Sequence, residues 1–157
     1  MEATPQLPPA IVRPASNSQS EKQAENAILT AATLWKEARG EGVNGMHAVL
    51  NVIMNRAGSF DKIDTIILKR KQFSCWNSID NPKQKSIEMG KLAAAGKLTD
   101  SKQFMEACEL VQLAIDGKLT DITGGAKNYF NPKLANPSWA KKLTKTRTIG
   151  NHDFYKE

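Results

Sequence analysis

The residues best placed to do chemistry lie in Trp35-Lys36-Glu37-Ala38-Arg39-Gly40-Glu41, where an amphipathic stretch ends in a carboxylate, a guanidinium and a glycine. The apolar positions leading into it, Ala24, Ala27, Ile28, Ala31, Leu34, Trp35 and Ala38, recur at steps of three and four, the spacing of one buried helical face. A helix over 21–39 follows, stopped at Gly40, a residue that readily takes the left-handed conformation after a last turn. Glu37 then sits in the final turn, on the flank of the apolar stripe. The carbonyl end of a helix carries partial negative charge, and burial beside Trp35 removes water, so both act against the ionised carboxylate and raise its pKa. A carboxylic acid that stays protonated at the edge of a cleft can donate to a glycosidic oxygen. Arg39 opposes this shift if its guanidinium reaches Glu37, and most glutamates on helices are simply solvated. Position alone leaves both readings open.

Other chemistries find less support. Cys75 and Cys108 lie far apart without metal-ligand spacing, and Cys108 falls on an amphipathic face, so buried thiols are expected rather than a metal centre. No metal or cofactor is predicted. His47 lies on an apolar face with no Ser or Cys nucleophile beside it, which favours a hydrogen-bonded core histidine. Gln72-Phe73-Ser74-Cys75-Trp76-Asn77 clusters aromatic and small polar groups with no helical or strand period. Phe73, Ser74 and Trp76 are therefore candidates to line a sugar site, against the plainer reading that the two rings plug the core.

Several elements must hold these residues. The first twenty residues, with Pro5, Pro8, Pro9 and Pro14 ahead of Ser16-Asn17-Ser18-Gln19-Ser20, read as an extended arm or linker. Residues 21–157 read as one domain. A second helix to about Arg56 is apolar around more than half its circumference and is expected to be central, with Asn51 and Asn55 projecting together. A short helix or turn is read over 63–69, and helices are predicted over 82–95 and 101–116. The last two are followed by the same pentapeptide, Gly96-Lys97-Leu98-Thr99-Asp100 and Gly117-Lys118-Leu119-Thr120-Asp121, read as a glycine stop followed by a residue that starts the next element. After Thr123-Gly124-Gly125-Ala126 the chain turns extended, with the run from Thr146 to Tyr155 expected to form a hairpin with the strand at Tyr129.

Composition sets the outer bounds. At 157 residues, 40% apolar and 24% charged, the chain is the size and type of one globular domain with a real core. No run reaches the length of a membrane span, so no membrane insertion is expected. The first twenty residues have neither the basic start nor the apolar core of a secretion signal. A net charge of +6 favours polyanionic surroundings. No zinc-knuckle or RNA-recognition motif is present, nor a basic helix interleaved with aromatics, and nucleic acid is not an expected partner.

Taken in order, Glu37-Ala38-Arg39-Gly40-Glu41, Asn51-Val52-Ile53-Met54-Asn55-Arg56, Gln72-Phe73-Ser74-Cys75-Trp76, Thr123-Gly124-Gly125-Ala126, Tyr129-Phe130-Asn131-Pro132, Trp139 and Ile149-Gly150-Asn151-His152-Asp153-Phe154-Tyr155 form an ordered set. This set resembles the SleB/CwlJ-type cell wall hydrolases, the family of spore-cortex lytic enzymes and related phage lysins, over about 27–155. The resemblance implies a mainly α, lysozyme-like fold with a small β-hairpin or extended C-terminal portion. It implies action on the glycan strands of peptidoglycan and places the family's catalytic acid on Glu37. Tyr129, Asn131, Trp139, Asn151 and His152 become candidates to contact the glycan or shape the cleft, and Arg39 to orient the Glu37 turn or a substrate group. Hydrolysis needs a second carboxylate and Glu41, Asp80 and Asp153 are not compelling, so lytic transglycosylation with Glu37 as both acid and base is preferred over a hydrolytic muramidase. Lacking a secretion signal, the chain is expected to be a phage endolysin or virion-associated lysin, made in the host cytoplasm and reaching the wall at lysis or in the particle. The arm is the candidate tether to a virion. The rival is an inactive wall-binding or virion structural module.

Overall fold

The computed structural model describes residues 7–8, 18–69 and 73–157, without the side chains of 18, 19 and 74. Most of the proposed arm, 1–6 and 9–17, lies outside the described residues. Leu7 packs against the core, and 18–20 already belong to the first helix rather than to a linker.

Among the described residues, five α-helices precede a small sheet: α1 Ser18–Ala38, α2 Gly42–Ala57, α3 Ile63–Ile67, α4 Pro82–Ala94 and α5 Ser101–Ile115. The strands are β1 Asn128–Phe130, β2 Thr144–Ile149 and β3 His152–Lys156. The central helix is α1 rather than α2. It packs against α2, α4 and α5, and every residue from Asn26 to Trp35 is buried. The sequence permits this because Ala24, Ala27, Ala31 and Ala32 let neighbouring helices approach closely. The two threonines among them are satisfied within the helix, the Thr30 hydroxyl donating to the Asn26 carbonyl at 2.6 Å and Thr33 to Leu29 at 2.8 Å, whereas the buried Asn26 side-chain amide has no partner among the described residues. As expected, α2 is largely buried, from Gly45–Met46 through Ala48–Ile53.

Two boundaries differ from expectation in ways that matter for the site. The helix α1 ends at Ala38, and the chain continues through a 3-10 turn, Arg39–Glu41, rather than stopping at Gly40. The left-handed residue is Gly42, at φ +76, whose N–H closes the turn on the Arg39 carbonyl. Both pentapeptides close their helices alike, with Lys97 N–H donating to the Leu92 carbonyl and Lys118 N–H to Leu113, each at 2.8 Å. Neither Asp starts a helix by capping it, however. Asp100 precedes α5 without a side-chain cap bond, and Asp121 organises a loop.

The three strands are antiparallel in the order β1-β3-β2. The hairpin is formed inside the terminal run, β2 to β3 around Gly150 and Asn151, and the Tyr129 strand adds to the far edge of β3, pairing Tyr129 with Phe154. Phe154 and Ala126 pack on Ala48 and Val52 of α2, which joins the sheet to the helical body. Cys75 and Cys108 are free thiols. Among the described residues no helix is long and apolar enough to cross a membrane.

Candidate active site

Glu37 occupies the last turn of α1, partly buried, beside an open depression lined by Lys36, Arg39, Gly40, Asp100 and Gln103. Two neutral groups face it. The Cys75 thiol is hydrogen-bonded to Glu37, and its pKa is pushed up to about 12, first by burial and then by the Glu37 charge and that bond. Tyr129 is also raised, chiefly by burial and next by Glu37, with Arg56 opposing. Both groups therefore keep their protons at neutral pH. No salt bridge to Glu37 occurs among the described residues.

Tyr129 reaches this position because one polar row on α2 fastens the segment that leads to it. His47 Nε2 lies 2.8 Å from the Thr120 carbonyl. Asn51 donates to that same carbonyl at 3.0 Å and accepts from Ile122 N–H at 3.0 Å. Asn55 donates to Asp121 and to the Ala126 carbonyl. Arg56 completes the row with bonds to the Lys127 carbonyl and to Asn128 Oδ1. Asp121 also accepts from the Thr123 hydroxyl and from the N–H groups of Thr123 and Gly125. Partial burial alone would raise its pKa, but these donors outweigh it and hold the carboxyl below its usual range. The spacing of Asn51 and Asn55 was visible in the sequence, but their partners lie 66–71 residues away. His47 is hydrogen-bonded as expected, although partly rather than fully buried.

The structure sorts the remaining candidates. Arg39 makes its ion pair with Asp100 rather than with Glu37: Nε pairs with Asp100 at 3.0 Å, Nη1 donates to the Trp35 carbonyl, and the guanidinium lies 3.7 Å over the Trp35 ring. It braces the end of α1 against the start of α5, with Trp35 Nε1 bonded to the Asp100 carbonyl. Phe73 and Trp76 belong to the core, at 3% and 5% exposure, and Trp76 Nε1 donates to Thr33 at 2.9 Å. Their faces are covered by protein and are not free to stack on a sugar. The side chain of Ser74 lies outside the described residues. Asn131 turns its own chain, its Oδ1 accepting from Lys133 N–H at 2.9 Å.

Trp139 sits on the wrong side of the sheet. It contacts Phe130 and Tyr155 edge-on at 5.5 Å, and strand alternation puts those rings on the face opposite Tyr129. His152 is on the Tyr129 face, with the rings perpendicular at 5.3 Å. Asn151 and His152 both meet Glu41: Asn151 Nδ2 donates to Oε1 at 2.9 Å, and His152 Nδ1 lies 3.9 Å from the same oxygen. The structure thus gathers Glu37, Tyr129 and Cys75, sets His152 beside Tyr129 with Asn151 joined to it through Glu41, keeps Arg39 at the rim of the depression in a pair with Asp100, buries Phe73 and Trp76 in the core, and places Trp139 on the sheet face opposite Tyr129.

The fold recurs in known proteins. A family model described as Cell Wall Hydrolase matches residues 40–155. The chain belongs to this cell wall hydrolase family. The spore cortex-lytic enzyme of Oceanobacillus iheyensis is 29% identical over 155 residues, covering 94% of this chain and 46% of that protein. That of Halalkalibacterium halodurans is 28% identical over 131 residues, covering 80% and 33%. The chain therefore spans less than half the length of these relatives. Among solved structures, the catalytic domain of the germination-specific lytic transglycosylase SleB from Bacillus anthracis superposes with a TM-score of 0.57 at 26% identity, covering 92% of this chain and all of that one. The catalytic domain of Bacillus cereus SleB gives 0.57 at 27% identity, covering 91% and 94%. The cell wall hydrolase fold is thus a mainly helical, lysozyme-like domain with a small sheet. The stretch matched by the family model begins three residues after Glu37.

Proposed function

We propose that this domain cleaves peptidoglycan glycan strands between N-acetylmuramic acid and N-acetylglucosamine as a lytic transglycosylase, with Glu37 as its single acid and base. The observation that carries the reading is that Glu37 borders the open depression with a neutral thiol bonded to it and no ion pair among the described residues, against the engagement of other carboxylates in charged or multiple contacts. Asp100 is paired with Arg39, Glu41 accepts from Asn151, Asp121 accepts four donors, and Asp153 is held by Thr148 and Lys145. A hydrolytic route needs a second carboxylate, one of these or the exposed Asp80, to activate water or attack the sugar.

In the proposed reaction Glu37 gives its proton to the bridging oxygen as that oxygen's bond to the muramic anomeric carbon breaks. The muramic 6-hydroxyl then attacks the same carbon, and its proton returns to Glu37. The products are a free 4-hydroxyl and a 1,6-anhydromuramic end, with no water consumed. Digestion of purified peptidoglycan followed by mass spectrometry tests this: anhydro ends, one water lighter than reducing ends, are expected. Reducing ends alone would overturn the transglycosylase assignment in favour of a muramidase. Absence of any clearing on a peptidoglycan gel would favour a binding module.

The cellular setting is a proposal of a different kind, since the relatives named above are spore cortex-lytic enzymes. We read the domain as a phage lysin. Its presence among the proteins of purified particles, or release of the host at lysis by its expression, is the expected result; neither occurring contradicts it.

A further inference from the structure

We propose that Glu41 is a positioning residue that latches the β2–β3 turn onto the helical body and holds His152 against Tyr129 at the edge of the Glu37 site. The inference rests on the reading of Glu37 as the acid. Glu41 lies in the 3-10 turn that follows α1, and its side chain is only 18% exposed. Both carboxylate oxygens are engaged from a segment 110 residues away: Oε1 by the Asn151 amide at 2.9 Å, Oε2 by the Asn151 backbone N–H at 3.4 Å. His152 Nδ1 approaches Oε1 at 3.9 Å, and the imidazole edge meets Tyr129, which in turn faces Glu37.

Two glycines make room for this contact. A methyl group on Gly45, one turn into α2, would fall on Glu41 Cβ, and one on Gly150 would lie 2.5 Å from Oε2. Gly150 is also at φ +59, where any side chain is strained. Two helical and hairpin backbones thus approach the same side chain from opposite sides. The contact gives Glu41 a structural use: each of its carboxylate oxygens accepts a hydrogen bond from Asn151, the residue beside the one it positions.

Turnover of soluble glycan-strand fragments by Glu41→Ala, His152→Ala and the double variant tests the latch. Each single change is expected to lower kcat/KM about tenfold, with the double variant no lower than the worse single one, because Glu41 acts through His152. Glu41→Gln, which keeps an acceptor for Asn151, should recover part of the loss. Single effects that multiply to about a hundredfold, or Glu41→Ala turning over like the parent, overturn the proposal while leaving the Glu37 assignment intact. If Glu41→Ala does not fold, Asn151→Ala in the exposed turn carries the same test. The Tyr129 and His152 ring resonances, read by NMR in these variants, give a result that needs no activity: they should shift together when Glu41 is altered. Unchanged resonances contradict the latch even if the parent proves inactive.

Discussion

At the scale of single residues, the site is a carboxylate with protonated neighbours. The place of Glu37 at the end of an apolar stripe left two readings open, and the family resemblance made it the candidate acid; the same kind of stripe correctly buried Cys108. Tyr129 was legible from its motif. Cys75 was not legible as a partner of Glu37, because a lone cysteine in an aperiodic loop carries no pattern that ties it to a helix end 38 residues earlier. With pKa values pushed up to about 12 from 9.0, Cys75 and Cys108 expose roughly a thousandfold less thiolate than ordinary thiols. Alkylation by iodoacetamide at neutral pH should be slower than that of a free thiol by about that factor, and should accelerate to the normal rate on unfolding. The raised values also set a pH dependence. Below about 9 the thiols are protonated in both folded and unfolded chains and contribute no slope; between about 9 and about 12 only the unfolded chain ionises, so stability falls. Denaturation midpoints taken across that window should decline less steeply for Cys108→Ala than for the parent chain. Tyr129→Phe, which removes the phenol facing Glu37, is expected to lower glycan turnover about tenfold with the melting temperature nearly unchanged.

At the scale of elements, helical periodicity located α1, α2 and α5, because burial of one face leaves a repeat of three and four in the chain. It did not rank them, and small residues decided that: the alanines of α1 make it the centre, whereas the bulkier apolar surface of α2 suggested the opposite. Sheet pairing was harder to read, since the strands are three to six residues long and partly exposed. The turn at Gly150 and Asn151 is fixed by Glu41, a contact invisible to local sequence. The aromatic loop shows the same limit from the other direction. Phe73 and Trp76 stand among polar neighbours, yet they fill the core beneath Thr33 and Lys36. Trp76→Ala should therefore cost about 3–5 kcal/mol of stability, read by chemical denaturation, rather than spare folding and weaken cleavage alone. Asn51→Ala removes the donor to Thr120 and the acceptor for Ile122 at once, and should cost about 1–3 kcal/mol. Hydrogen exchange over 120–130 ought to speed up in that variant, and turnover to drop as Tyr129 loses its anchor.

At the scale of the whole molecule, charge is segregated. Residues 127–157 hold seven Lys and Arg against two Asp and Glu, so +5 of the chain's +6 lies in the sheet and its connections. Lys127, Lys133, Lys141, Lys142, Lys145, Arg147 and Lys156 are all exposed. Association with an anionic cell envelope should therefore weaken as salt shortens the screening length from about 10 Å at 0.1 M to about 3 Å at 1 M. Lys141→Glu with Lys142→Glu should weaken it further at low salt than the same pair of changes at Lys85 and Lys91 on α4, as measured by pelleting with purified walls. The proposed reaction depends on Glu37, and turnover by Glu37→Gln tests that role. The expected result is a loss of at least a thousandfold in glycan cleavage, with wall binding and melting temperature close to those of the parent chain. Cleavage by a folded Glu37→Gln chain at a rate near that of the parent would contradict it.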